Sequence, residues 1–277
     1  MSDHLDKKEQ MQQRHEIIKE RLQKIKYKVV IMSGKGGVGK TTVAVNLAIK
    51  LAALGKTVGI LDVDITGPNV PLMLNMEGMR PEINTDTKTF RPVIGPMNLR
   101  VMSMAFLLES NETPVIWRGP MKMGAIRQFL AEAEWGELDY LVFDLPPGTS
   151  DETLDIMQLI EGAGIVVVTT PQDVALLDSR KTVNMAKTMG RHMLGIVENM
   201  AGYVCPHCGE SVNIFGIGGG EKAAEALKVP FLGRIPFEVD VRIHSDEGLP
   251  FIIENPNSPS ALAFEKIVKK VQNVMES

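Results

Sequence analysis

Cysteine is almost missing from this 277-residue chain: Cys205 and Cys208 are the only two, separated by Pro206 and His207. That scarcity excludes a secreted fold stapled by a disulfide framework. No apolar run approaches the ~20 residues that a membrane-spanning helix needs. The opening Met1-Ser2-Asp3-His4 is charged and lacks the apolar stretch of a signal peptide. Excess positive charge is lacking too. A net charge of −4 and a pI near 5.8 argue against free nucleic acid as a partner, because phosphate backbones demand a basic face. These absences predict a cytoplasmic protein that engages neither membrane nor nucleic acid.

Hydrophobic and charged residues make up 44% and 23% of the chain, as in ordinary soluble domains. The length suffices for a full core, and one α/β domain is favoured over two. Apolar, β-branched runs alternate with amphipathic stretches, the pattern of a doubly wound, mostly parallel sheet flanked by helices. Strands are expected at Lys28–Met32, Thr57–Leu61, Leu99–Met104, Tyr140–Phe143, Gly164–Thr169, Leu194–Val197 and Phe231–Ile235. Helices are expected at Thr41–Ala53, Met121–Glu134, Asp151–Ile160, Val174–Met189, Gly220–Leu227 and Ala261–Met275. The segment Gly78–Gly95, polar and carrying prolines, reads as a surface excursion. Residues 1–26 read as a helical arm ahead of the main domain, residues 27–277. In that arm Ile18, Leu22 and Ile25 recur at helical spacing, a stripe suited to packing on the body or to docking a partner. The terminal stripe Leu262, Ile267, Val268, Val271 and Val274 is expected to cover the sheet rather than lie on a membrane surface.

The strongest local signal is Gly34-Lys35-Gly36-Gly37-Val38-Gly39-Lys40-Thr41-Thr42, which contains the phosphate-loop pattern G-x-x-x-x-G-K-S/T. It follows the apolar run Val29–Met32 and precedes a helical pattern, the context the motif requires. Glycines let backbone N–H groups converge on phosphate oxygens, and the helix adds its positive end. Lys40 is placed to reach the β- and γ-phosphates, and Thr41 to coordinate Mg²⁺. Two further carboxylates, Asp62 and Asp64, end the second expected strand, where open α/β sheets bind ligands. They alternate in extended chain, so only one can face the nucleotide directly; in isolation both would suit turn capping. Asp144 ends the run Val142-Phe143-Asp144 before a rigid Pro-Pro-Gly turn and reads as the carboxylate supporting Mg²⁺ through water. Gly148 and its neighbours would then form a switch sensing the γ-phosphate.

Cys205-Pro206-His207-Cys208-Gly209 puts two thiolates within reach of one metal. Zinc and iron–sulfur sites of this kind take four ligands, and a symmetric dimer would supply the missing pair across its two-fold axis. A redox dithiol, an intramolecular disulfide and a zinc site assisted by His207 suit the same residues, and spacing does not separate zinc from iron–sulfur.

The loop with its additional Lys35 resembles the deviant phosphate loop of the MinD/ParA/nitrogenase-iron-protein class of ATPases. This resemblance implies that Lys35 crosses a face-to-face homodimer to the partner's ATP. It also implies that Asp64 orients the attacking water, with Asp62 beside the magnesium shell. More of the chain resembles the Mrp/ApbC/Nbp-type iron–sulfur cluster carrier ATPases: Asp62–Pro71, Ile116–Lys122, Trp135–Asp151, Thr170–Ala175 and Gly195–Cys208 with its Glu198-Asn199-Met200 core. The likeness spans roughly residues 27–250, with Ala201 where relatives often carry serine. It implies a 4Fe–4S cluster shared by Cys205 and Cys208 of both subunits, received from a donor scaffold and passed to apoproteins. It further implies that Asn199 and Pro236 contact the adenine. The glycine run Gly216–Gly220 lacks the lysine and hydroxyl of a second phosphate loop and reads as a flexible turn opening a helix. Arg118 reads as a surface arginine, and most of the 17 methionines as core filling.

Overall fold

Each apolar run between turn residues becomes a strand, and the computed structural model describes residues 2–107, 119–205 and 207–277, omitting side chains 2–10 and 120. The motif residues Ile116, Trp117, Arg118 and Pro206 therefore lie outside the described residues. The strands are Ile25–Ser33 (β1), Val58–Asp62 (β2), Glu82–Asn84 (β3), Thr89–Arg91 (β4), Val93–Ile94 (β5), Arg100–Ser103 (β6), Leu138–Asp144 (β7), Gly164–Thr169 (β8), His192–Glu198 (β9), Tyr203–Val204 (β10), Ser211–Val212 (β11) and Phe231–Arg234 (β12). The helices are Ser2–Gln23 (α1), Lys40–Ala53 (α2), Val70–Met73 (α3), Gly119–Glu132 (α4), Asp151–Leu159 (α5), Asp173–Thr188 (α6), Gly219–Leu227 (α7), Val239–Glu247 (α8), Phe251–Glu254 (α9) and Pro259–Met275 (α10).

Eight strands form one sheet in the order β12-β9-β8-β1-β7-β2-β6-β5, parallel except where β5 runs against β6. β1 lies inside, paired to β7 on one side and β8 on the other. Its alternation divides the core. Val29 and Ile31 join the apolar layer under α2 and α10, while Val30 and Met32 join the layer under α4, α5, α6 and α7. This is the two-sided burial that parallel strands require.

The chain ends follow from their side chains. In α1, Ile18 and Leu22 are buried in the second layer. Ile25 is buried as well, but as the first residue of β1 rather than as part of the helical stripe. Helix α10 starts on Ser258, whose Oγ accepts from the Ala261 N–H at 3.1 Å, with Pro259 in the first turn. Ile267, Val268 and Val271 are fully covered, each such burial contributing about 1.5–3 kcal/mol. Leu262 departs from that stripe and is 46% exposed. The 78–95 excursion carries more order than its composition suggests: β3 and β4 form a hairpin, and β5 adds an edge to the main sheet. Met73, Met76, Met102 and Met104 fill the core, whereas Met79 and Met97 are exposed.

Candidate functional site

The phosphate loop leaves the C-terminal end of β1 and enters α2. Gly37 and Gly39 hold φ of +78° and +80°, the left-handed region that side chains resist. Two close approaches require the absence of a Cβ. One built on Gly34 would stand 2.3 Å from the Asp178 carbonyl carbon in α6. One built on Gly39 would stand 2.2 Å from Asn199 Nδ2. That amide donates to the Val38 carbonyl at 2.9 Å, so the end of β9 is tied across the loop.

Register brings the acidic residues to the same edge: Asp62 and Asp144 are partners across β2 and β7, and Asp144 is level with Ile31 of β1. Lys40 Nζ stands 2.6 Å from Asp144 Oδ1 and 3.9 Å from Asp64 Oδ2. The Thr41 hydroxyl donates to Asp144 Oδ2 at 2.7 Å. Burial pushes the Asp144 carboxyl above the ordinary carboxylate range, with Lys40 and Thr41 opposing that shift. The two aspartates at the end of β2 and just past it separate clearly. Asp64 accepts from Thr66 Oγ1 and lines the cavity. Asp62 is fully buried and accepts from the Asp64 and Val70 backbone N–H groups and from Ser103 Oγ, each at 3.1 Å. Burial first, then the Asp144 charge, push its carboxyl up to about 8 against the pull of Lys40. Asp62 is therefore a brace that shapes the Asp64 loop, set behind the cavity wall.

The cavity measures about 580 Å³, within the span of small-molecule sites. Its floor is the phosphate loop with Lys35, Lys40 and Asp64, and its far wall includes Asn199, Pro236 and Phe237. A hydroxyl and a carboxylate converging at Thr41 and Asp144 are the oxygen donors a hard divalent cation takes, so the residues present fit Mg²⁺. The Gly148 N–H donates to the Ser33 carbonyl at 2.8 Å, and Gly148 has a φ of +89°. The switch candidate is thereby hydrogen-bonded to the strand that carries the loop.

Beyond Asn199 the chain forms the antiparallel β10–β11 hairpin that presents the cysteines. Cys205 N–H donates to the Glu210 carbonyl, and Gly209 N–H to the Cys205 carbonyl, both at 2.9 Å. Both thiols are free, with Cys208 exposed. The backbone N–H groups of Cys208 and His207, together with the Cys208 thiol, hold Cys205 below the ordinary thiol range. Among the described residues no group of three or more His, Cys, Asp or Glu side chains is arranged to hold a metal ion. His207 and the two thiols are thus not already gathered as a three-ligand set, and the described part of one chain offers two sulfurs on this hairpin.

A family model described as ParA, NUBPL iron-transfer P-loop NTPase, matches residues 24–272. The chain belongs to this family. It is 49% identical over 272 residues to an iron-sulfur cluster carrier protein of Methanocaldococcus jannaschii, covering 98% of this chain and 92% of that one. It is 47% identical to a protein of the same name from Saccharolobus solfataricus, covering 93% and 86%. Among solved structures it resembles an Archaeoglobus fulgidus nucleotide-binding protein in complex with ADP, with 40% identity, a TM-score of 0.77, and 90% and 96% of the two chains covered. The cell-division ATPase MinD of Pyrococcus furiosus shares the fold at 25% identity and a TM-score of 0.67, covering 90% and 100%.

In this ParA/NUBPL NTPase Ser103 carried no recognisable sequence signal, and Glu198 stood out only as part of the Glu198-Asn199-Met200 core, without a role. Ser103, at the end of β6, reaches Asp62 only because β6 pairs with β2. Glu198 is wholly buried and accepts from the Gly218 and Gly220 N–H groups and from Arg234 Nε. It sits against the N-terminus of α7 and pins the glycine turn that composition alone presents as flexible. α8, placed on the cavity rim by Val241 and Arg242, has too mixed a pattern to be read as a helix. Among the described residues no helix is long and apolar enough to cross a membrane.

Proposed function

We propose that this protein is an ATP-binding, slowly hydrolysing carrier that holds a 4Fe–4S cluster on Cys205 and Cys208 of two subunits and transfers it to apoproteins. The cluster is cargo, received in the cytoplasm from a donor scaffold. The observation that carries this reading is the pair of free thiols on one hairpin, Cys208 exposed and Cys205 half-buried, with no three-residue metal-ligand group among the described residues, beside a phosphate-loop cavity. The names of the relatives from M. jannaschii and S. solfataricus point the same way.

The loop N–H groups of residues 34–42 would cradle the phosphates. Lys40 would exchange its Asp144 contact for the β- and γ-phosphate oxygens. Thr41 would hold Mg²⁺ directly and Asp144 through water; the ion, when bound, neutralises phosphate charge. Asp64, the carboxylate in the cavity floor beside Lys40, would orient the attacking water. Lys35, also in the cavity floor, would reach the partner's nucleotide, and Asn199 and Pro236 would meet the base. With Asp64 and Asp144 engaged in hydrogen bonds and Arg242, on the rim, paired with Asp246, turnover would be slow.

The test is anaerobic reconstitution with iron and sulfide, followed by metal analysis per dimer. Brown protein with about four irons per dimer is expected. Cys205→Ala abolishes cluster uptake and keeps nucleotide affinity within about threefold, while Lys40→Ala does the reverse. A colourless zinc protein, or a metallated single subunit, overturns the reading.

A further inference from the structure

The cysteine hairpin and the cavity meet at one side chain, Phe237. It lines the cavity between Pro236 and Glu238. Its N–H donates to the Gly202 carbonyl at 2.8 Å, at the root of the hairpin. Its ring receives Tyr203 edge-on at 6.0 Å and 68°, and Phe215 at 6.1 Å and 63°. Tyr203 opens the hairpin and Phe215 follows its close, so both roots grip the same ring. From His207 to Asn213 every residue is exposed, which leaves the root to set the direction of the two thiols. The incoming chain reinforces the tie, since Asn199 and Met200 line the cavity and lead straight into Tyr203.

We propose that Phe237 is a positioning residue that couples occupancy of the nucleotide cavity to the placement of Cys205 and Cys208. The inference rests on the reading that the cavity takes ATP and the hairpin takes the cluster, and it adds the route between them. Packed aromatic rings have discrete arrangements. A ligand that shifts the 235–238 segment cannot leave Tyr203 and Phe215 where they stand, and those two residues carry the cysteines.

The experiment measures the alkylation rate of the two thiols in the metal-free full-length protein, with and without ADP or ATP. In the unmodified protein nucleotide changes the rate at least threefold. Tyr203→Ala, which touches neither the cavity nor a ligand position, removes that dependence and leaves nucleotide Kd unchanged. Phe237→Ala removes it from the other side, and Tyr203→Phe, which retains the ring, restores it. A nucleotide effect of full size in Tyr203→Ala, or none in the unmodified protein that binds nucleotide, overturns the coupling. Failure of the functional reading has a different signature: no nucleotide binding, or no cluster on reconstitution, in the unmodified protein.

Discussion

Lys40 and Thr41 share one buried acceptor, the Asp144 carboxylate, which on the proposed reading holds in place both side chains that would meet a magnesium–nucleotide. The geometry of the loop around them depends on residues with no side chain at all. Gly39 combines a φ of +80° with a virtual Cβ 2.2 Å from Asn199 Nδ2. Gly39→Ala therefore suffers a left-handed penalty of about 1–2 kcal/mol and also displaces the amide that ties β9 to Val38. Titration calorimetry should show nucleotide Kd raised roughly tenfold or more, 1.4 kcal/mol being a factor of ten. A Kd within twofold of the unmodified protein would contradict the close approach.

At the scale of elements, the buried Glu198 carboxylate is the joint between β9, β12 and α7. Glu198→Ala strips the α7 N-terminus of its acceptor and leaves Arg234 with Glu221 as its remaining carboxylate. A loss of about 2–4 kcal/mol in denaturant unfolding is expected, and a change below 0.5 kcal/mol would show the joint to be idle. The same elements mark what could be read in advance. The apolar runs of β1, β2, β7, β8, β9 and β12 were legible because parallel strands buried on both faces are continuous in β-branched residues. The phosphate loop and Asp144 were legible because glycine spacing and a carboxylate at a strand end are local features. Glu198 and Ser103 act through strands distant in sequence, so only the pairing of β9 with β12 and of β2 with β6 gives them a role. The β3–β4 and β10–β11 hairpins were hidden for a different reason. Their strands are two or three residues long, too short for alternation to register.

For the molecule as a whole, the C-terminus is fastened by Glu276, which accepts from Tyr140 Oη at 2.8 Å and pairs with Lys56 at 2.9 Å. Those hydrogen bonds hold its carboxyl below the ordinary value of 4.5. A carboxyl with a lowered folded pKa stabilises the fold above its unfolded pKa and loses that contribution as pH falls through the folded value. Glu276→Gln should lower Tm by at most ~3 °C at neutral pH. Thermal scans should show the gap closing below the ordinary value; a gap undiminished at strongly acid pH would rule out this fastening. The strand order has a wider consequence. The loop that would receive the phosphates grows from β1, flanked by hydrogen-bonded neighbours on both sides, whereas the hairpin with the thiols hangs beyond β9 and β12 at the sheet's outer margin. On the proposed reading, the phosphates are gripped by a loop on a strand paired on both sides, and the thiols sit at the outer margin, where a second copy of the chain would meet them.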